Sequence, residues 1–126
     1  MREAIQSPDA SLPAGPYSQG IRVGDLLFVS GQGPFDPNGA KIGETFAEQC
    51  EATFDNLGIL ARAGGSDLEH MVRLGAYLRT LDDFPEFNRI MQERLTPPFP
   101  ARTTVPVELP GFDIELDAVF YVPGRG

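Results

Sequence analysis

The stretch "PPFPARTTVPVELPGFDIELDAVF", residues Pro97–Phe120, decides how the chain ends its fold. It reads as two short strands joined by a turn near Leu109-Pro110, since apolar and polar residues alternate on either side of a Pro/Gly cluster. Side chains alternate across a strand, which allows the faces to be read. In the last strand Ile114, Leu116, Ala118, Phe120 and Val122 point one way, and Asp113, Glu115, Asp117 and Tyr121 the other. In the strand before it Thr103, Val105 and Val107 share a face, with Arg102 and Thr104 opposite. Antiparallel pairing about the turn puts Arg102 across from Asp117 and Thr104 across from Glu115. Glu115 is then diagonal to Arg102, roughly 7–8 Å away along the backbones. The expected sheet has an apolar face under helices and a polar face carrying Arg102, Thr104, Glu115 and Asp117.

A full positive charge in such a segment has two readings. One is an exposed cross-strand ion pair between Arg102 and Asp117, which contributes at most about 1 kcal/mol and needs no function. The other is a guanidinium fork that grips a ligand carboxylate through two parallel hydrogen bonds. The second reading requires the polar face to be covered, because a buried guanidinium needs a partner.

Upstream, Asp82–Leu95 reads as a helix with Pro85 in its first turn and Phe84, Phe87, Met91 and Leu95 on its apolar side. Met71–Leu78 reads as a strand with Val72, Leu74, Ala76 and Leu78 on one face. Thr45 and Glu48 form a T-x-x-E capping box, and Gly64-Gly65 supplies the stop. Between them Phe46, Cys50, Thr53, Phe54, Leu57, Leu60 and Ala61 make one apolar helix face. Ser66-Asp67-Leu68-Glu69 repeats the capping pattern for one further turn. Near the start, strands at Tyr17–Val23 and Leu26–Ser30 form a hairpin about Gly24-Asp25, and Asn38-Gly39 marks a turn into a short third strand. The order β-β-(β)-α-β-α-β-β is an α+β layer with helices on one sheet face.

The totals bound the function. With 126 residues and 41% hydrophobic content, a single domain over 1–126 is expected. A net charge of −8 argues against broad nucleic-acid binding, which needs a basic footprint. One cysteine and one histidine exclude an internal disulfide and a typical structural zinc site. The absence of an apolar leader or membrane-length run leads to the expectation of a cytoplasmic protein. Cys50 reads as a buried hydrophobe and His70 as a surface residue. Ser30 with His70 lacks a nucleophile elbow, and Gly31–Gly33 lacks the lysine and helix of a phosphate loop.

Five segments in order, "GPYSQG" (15–20), "FVSGQGPFDPNG" (28–39), "NLGILARAGGSDLEHMV" (56–72), "LDDFPEFN" (81–88) and "PARTTV" (100–105), resemble the Rid family of reactive intermediate deaminases, also called the YjgF or imine deaminase family. The resemblance implies a chorismate-mutase-like fold, a single sheet with two helices on one face, assembled as a homotrimer with a barrel-like core and clefts between subunits. It implies hydrolysis of 2-imino or 2-enamino acids, such as 2-aminoacrylate and its tautomer 2-iminopropanoate, to 2-keto acids and ammonia. Arg102 then binds the substrate carboxylate and Glu115 positions or activates water. Tyr17, Ser30, Gly31 and Thr104 join Arg102 in binding substrate, and neither metal nor cofactor is required. Asn88 matches a recurring helix position without an assigned role. Thr104 stands where the family's deaminases often carry cysteine, and the Arg102–Glu115 segment is one residue shorter than usual. Two alternatives are a non-catalytic module that binds a keto acid or other small carboxylate, and an endoribonuclease or translation inhibitor. Eighteen acidic against ten basic residues weigh against the last.

Overall fold

In the computed structural model, which describes residues 1–124, the strands are β1 (Glu3–Ile5), β2 (Gly20–Val23), β3 (Leu26–Gln32), β4 (Met71–Leu78), β5 (Ala101–Pro106) and β6 (Ile114–Tyr121), and the helices are α1 (Phe46–Ala63) and α2 (Phe84–Arg94). The strands form one sheet in the order β1-β2-β3-β6-β4-β5. Every pairing is antiparallel except β4 with β5. The last strand is therefore central, inserted between β3 and β4.

α1 begins where the capping box predicts. Thr45 Oγ1 accepts from the Glu48 backbone N–H at 3.2 Å, and Glu48 Oε1 accepts from that of Thr45 at 3.1 Å. Such a cap is typically worth about 1 kcal/mol. The helix buries the full apolar face read from the sequence, and Phe54 stacks on Phe87 of α2 with ring centroids 6.3 Å apart. Beneath lie Leu27, Val29, Leu74, Ala76, Leu116, Ala118 and Phe120 from β3, β4 and β6. Two buried amides on α1 also anchor loops. Gln49 Oε1 accepts from the Asp113 N–H at 2.8 Å, and Asn56 Nδ2 donates to the carbonyls of Gly33 and Phe35 at 2.9 Å each. Burial pushes the Cys50 thiol up to about 12, so it is an inert hydrophobe.

Four sequence expectations need correcting. The segments around Arg102 and Glu115 are not a hairpin. α2 is the crossover of a βαβ unit, so β5 returns parallel to β4 at the sheet edge, and β4 separates it from β6. The pairings Arg102–Asp117 and Thr104–Glu115 consequently do not exist. In-register parallel pairing sets Arg102 beside Leu74 and Thr104 beside Ala76, so both share the helix-covered face, while Thr103 and Val105 take the open one. Val72 is 45% exposed, because the register shift between Met71 and Arg73 turns it out of the core. The third strand after Asn38-Gly39 shrinks to one bridge, Phe35 with Lys41, since Asp36 Oδ1 closes the turn by accepting from the N–H groups of Asn38 and Ala40. The short β1, held by Arg22 against Glu3 at 2.5 Å, has no counterpart in the sequence reading.

Candidate active site

The open face of the sheet carries an uncovered cleft of about 560 Å³ whose walls include Tyr17, Phe28, Ser30, Gly31, Glu115 and Asp117. Alternation along β6 aims Glu115 and Asp117 there while Leu116 and Ala118 stay in the core. Opposite, β3 is bulged between Val29 and Gln32, so Ser30 and Gly31 together face Asp117. Gly31 is needed for space: a Cβ at that position would lie 2.5 Å from Glu115 Oε2. The Ser30 hydroxyl donates to the Ser18 carbonyl at 2.6 Å, which fixes its rotamer. Tyr17 is half exposed, with its hydroxyl accepting from the Ala14 N–H at 3.1 Å. Burial, assisted by the negative charge of Asp117, raises the Glu115 carboxyl above the ordinary carboxylate range.

A second cluster occupies the opposite face. Arg102 lies under α2, where its Nη1 donates to Asn88 Oδ1 at 2.7 Å and to Met91 Sδ at 3.4 Å. The guanidinium carbon is 5.1 Å from the centroid of Phe84 and 5.0 Å from that of Phe87, within cation–π reach of both. Burial lowers its proton affinity, with no charge opposing that effect. Among the described residues no carboxylate forms an ion pair with Arg102. Thr104, two residues along on the same face, has a buried hydroxyl without a hydrogen-bond partner. A pocket of about 320 Å³ opens beside Arg102, with Asn88, Met91, Phe99 and Pro100 in its wall.

The structure thus brings Tyr17, Ser30, Gly31 and Glu115 together, and Arg102 with Thr104 separately. Sequence reasoning left Asn88 without a role, although it is the polar partner of Arg102. Phe84, Phe87, Asn88 and Met91 fall at i, i+3, i+4 and i+7 on α2, so an amide within an apolar stripe was the available signal. Among the described residues no three His, Cys, Asp or Glu side chains gather as a metal site. Among the described residues no helix is long and apolar enough to cross a membrane.

Comparison with known proteins adds family information. A family model described as Endoribonuclease L-PSP matches residues 7–122. A RutC family protein, y4sK of Sinorhizobium fredii, is 44% identical over 122 residues, covering 94% of this chain and 97% of that one. A protein of Dermatophagoides farinae named 2-iminobutanoate/2-iminopropanoate deaminase is 32% identical over 124 residues, covering 96% and 97%. The crystal structure of RidA from an Antarctic Psychrobacter superposes with a TM-score of 0.89 at 34% identity, covering 95% of this chain and 99% of that one.

Proposed function

We propose, on the premise that this chain belongs to the Endoribonuclease L-PSP family, the Rid or YjgF proteins, that it hydrolyses 2-imino acids to 2-keto acids and ammonia in a cleft shared between two copies of itself. One observation carries the reading: Arg102 and Glu115 sit on opposite faces of the same sheet, each in a form suited to half of this chemistry. Arg102 has only neutral partners and its desolvated fork favours a ligand carboxylate. Glu115 holds protons more tightly than an ordinary carboxylate, as a group cycling between base and acid requires. The deaminase name of the mite relative agrees with this chemistry.

Two copies bring the halves together when the open face of one packs near the β5 edge of another. Leu26, Phe28 and Tyr121, each more than a third exposed on that open face, supply apolar surface for the contact. Closed cyclic symmetry makes every such contact equivalent, and a trimer gives three sites. Arg102 of one copy fixes the substrate carboxylate, with the Thr104 hydroxyl as a further donor, so that the C=N carbon faces Glu115 of the neighbour. Glu115 accepts a proton from water as its oxygen bonds to that carbon, and the iminium nitrogen takes the electron pair of the π bond. The protonated Glu115 then returns its proton to the amine of the tetrahedral intermediate. C=O forms as ammonia leaves, and the remaining hydroxyl proton passes through the ionised Glu115 to the departing ammonia, which is released as ammonium. The acid-rich composition, with a net charge of −8, favours this small-anion chemistry over RNA cleavage.

The test is subunit complementation. Imino acids generated in situ by an amino-acid oxidase are offered to wild type, Arg102→Ala, Glu115→Ala and a co-refolded mixture of the two variants. Wild type is expected to accelerate keto-acid release and each variant to lose that acceleration. The mixture recovers roughly a quarter of it, because random assembly restores both residues at about one interface in four. An oligomeric, folded wild type without acceleration sinks the deaminase reading. Active wild type with no recovery in the mixture sinks the shared cleft.

A further inference from the structure

Beside Glu115 lies a group that the proposed reaction has not used. Asp117 is the next residue on the same face of β6, about 6.6 Å along the strand. Tyr77, on β4, is paired with Glu115 in the ladder, and its hydroxyl donates to Asp117 Oδ2 at 2.9 Å. The cross-strand partner of Asp117 is Gly75, and a Cβ there would collide with Asp117 Oδ1. Glu115 and Asp117 are thus each bedded over a glycine, Gly31 and Gly75, with their backbones fixed by the most central strand. Arg73 does not neutralise the pair: its guanidinium is spent on the carbonyls of Leu74 and Ala101 and on the Thr103 hydroxyl.

We propose that Tyr77 and Asp117 act as a positioning pair for Glu115, Tyr77 pinning the Asp117 carboxylate so that its charge stands beside Glu115 and strengthens it as the base that takes the proton from water. This rests on the deaminase reading for its chemical purpose but not for its test. The titratable groups beside Glu115 are Asp117 from β6, Tyr77 from β4 as its ladder partner, and Tyr17 from the segment before β2. β3 brings no charged group to the cleft, and Arg73 of β4 pairs further along with Val119 and donates to Thr103 of β5. In the shared cleft Arg102 of a second copy joins them. Asp117 raises Glu115 through charge repulsion, second to burial, and the Asp117 bond raises the Tyr77 phenol, so Tyr77 stays protonated as the donor.

The experiment is a carboxyl ¹³C NMR titration of the oligomeric protein labelled at glutamate, with the Glu115 signal assigned by its loss in Glu115→Gln. The Glu115 midpoint is expected to fall by about half a pH unit or more in Asp117→Asn, where the like charge is gone. It falls less in Tyr77→Phe, where the Asp117 carboxylate has lost the 2.9 Å bond that holds it and is free to turn away from Glu115. The acid limb of kcat/KM for keto-acid release moves by the same amounts, with a plateau about 3- to 10-fold lower. Midpoints that stay put or rise in Asp117→Asn overturn the proposal. A fall in Asp117→Asn without one in Tyr77→Phe removes Tyr77 and overturns the pair. NMR shifts in both variants beside a wild type that releases no keto acid separate the outcomes: the deaminase reading fails and the electrostatic pair stands.

Discussion

Among the described residues two arginines lie over phenylalanine rings of the helix layer, and only one is saturated. Arg94, at the end of the helix, donates to Glu51 Oε1 and Asp55 Oδ1 of α1 at 2.8 Å each and lies 5.7 Å from the centroid of Phe54. Burial disfavours its charge, but the hydrogen bonds to Asp55 and Glu51 outweigh that, and its proton affinity ends above the usual value. Arg102 lies over two rings rather than one, yet its polar partners are an amide and a thioether, and its proton affinity ends below the usual value. Arg94 is matched by anions of its own chain. On the proposed function, Arg102 keeps its strongest interaction for the substrate carboxylate.

Exchanging the two in experiment tests that difference most directly. Arg102→Ala should cut kcat/KM for keto-acid release by about 10³-fold, the scale of losing a charge-assisted fork on the substrate, with little loss of thermal stability. Arg94→Ala should do the reverse, lowering stability by about 1 kcal/mol while activity stays within a few-fold of wild type. Calorimetry beside initial rates separates the two patterns, and equal activity losses would break the comparison. A milder probe is Asn88→Ala, which leaves Arg102 its aromatic bed but removes the 2.7 Å acceptor. It should raise KM by about tenfold with a smaller change in kcat, because the fork is misaimed rather than lost. An unchanged KM would show that the phenyl rings suffice to aim the guanidinium.

The smallest effect concerns the other face. The folded protein raises the Glu115 carboxyl above its ordinary value near 4.5. Folding therefore favours the protonated form, and the contribution to stability is greatest below the unfolded value and lost as pH rises through the folded one. Glu115→Gln should accordingly gain stability over wild type at pH 7 and show less gain at pH 4. Denaturant midpoints at the two pH values check this, and a larger gain at pH 4 would contradict the sign. The variant pairs that gain with lost activity, marking Glu115 as a strained functional group.

Much of this was legible because local chemistry dictated it. The Thr45/Glu48 box and the Gly64-Gly65 stop set α1, and the alternation in β6 placed Glu115 and Asp117 on one side and Leu116 on the other. The position of Arg102 was not legible, because alternation gives the parity within a strand but not which neighbour that strand chooses. A stretch rich in Pro and Gly between β5 and β6 reads locally as a hairpin, whereas the actual partner of β5 is chosen by α2, whose crossover returns the chain parallel to β4. The same limit hid Tyr77 from the site, since its meeting with Asp117 depends on β6 entering beside β4. Non-local pairing, not propensity, decided each of these points.

β6 is the latest of the six strands to leave the ribosome, and it occupies the slot between β3 and β4. Until it emerges the nascent chain has two separated strand groups and a helix pair with no floor, so the domain cannot close stepwise behind the peptidyl-transferase centre. The strand that supplies Leu116, Ala118 and Phe120 to the interior also carries both cleft carboxylates. Translation therefore delivers the keystone and both cleft carboxylates in one event, and a polypeptide terminated before β6 is left without either.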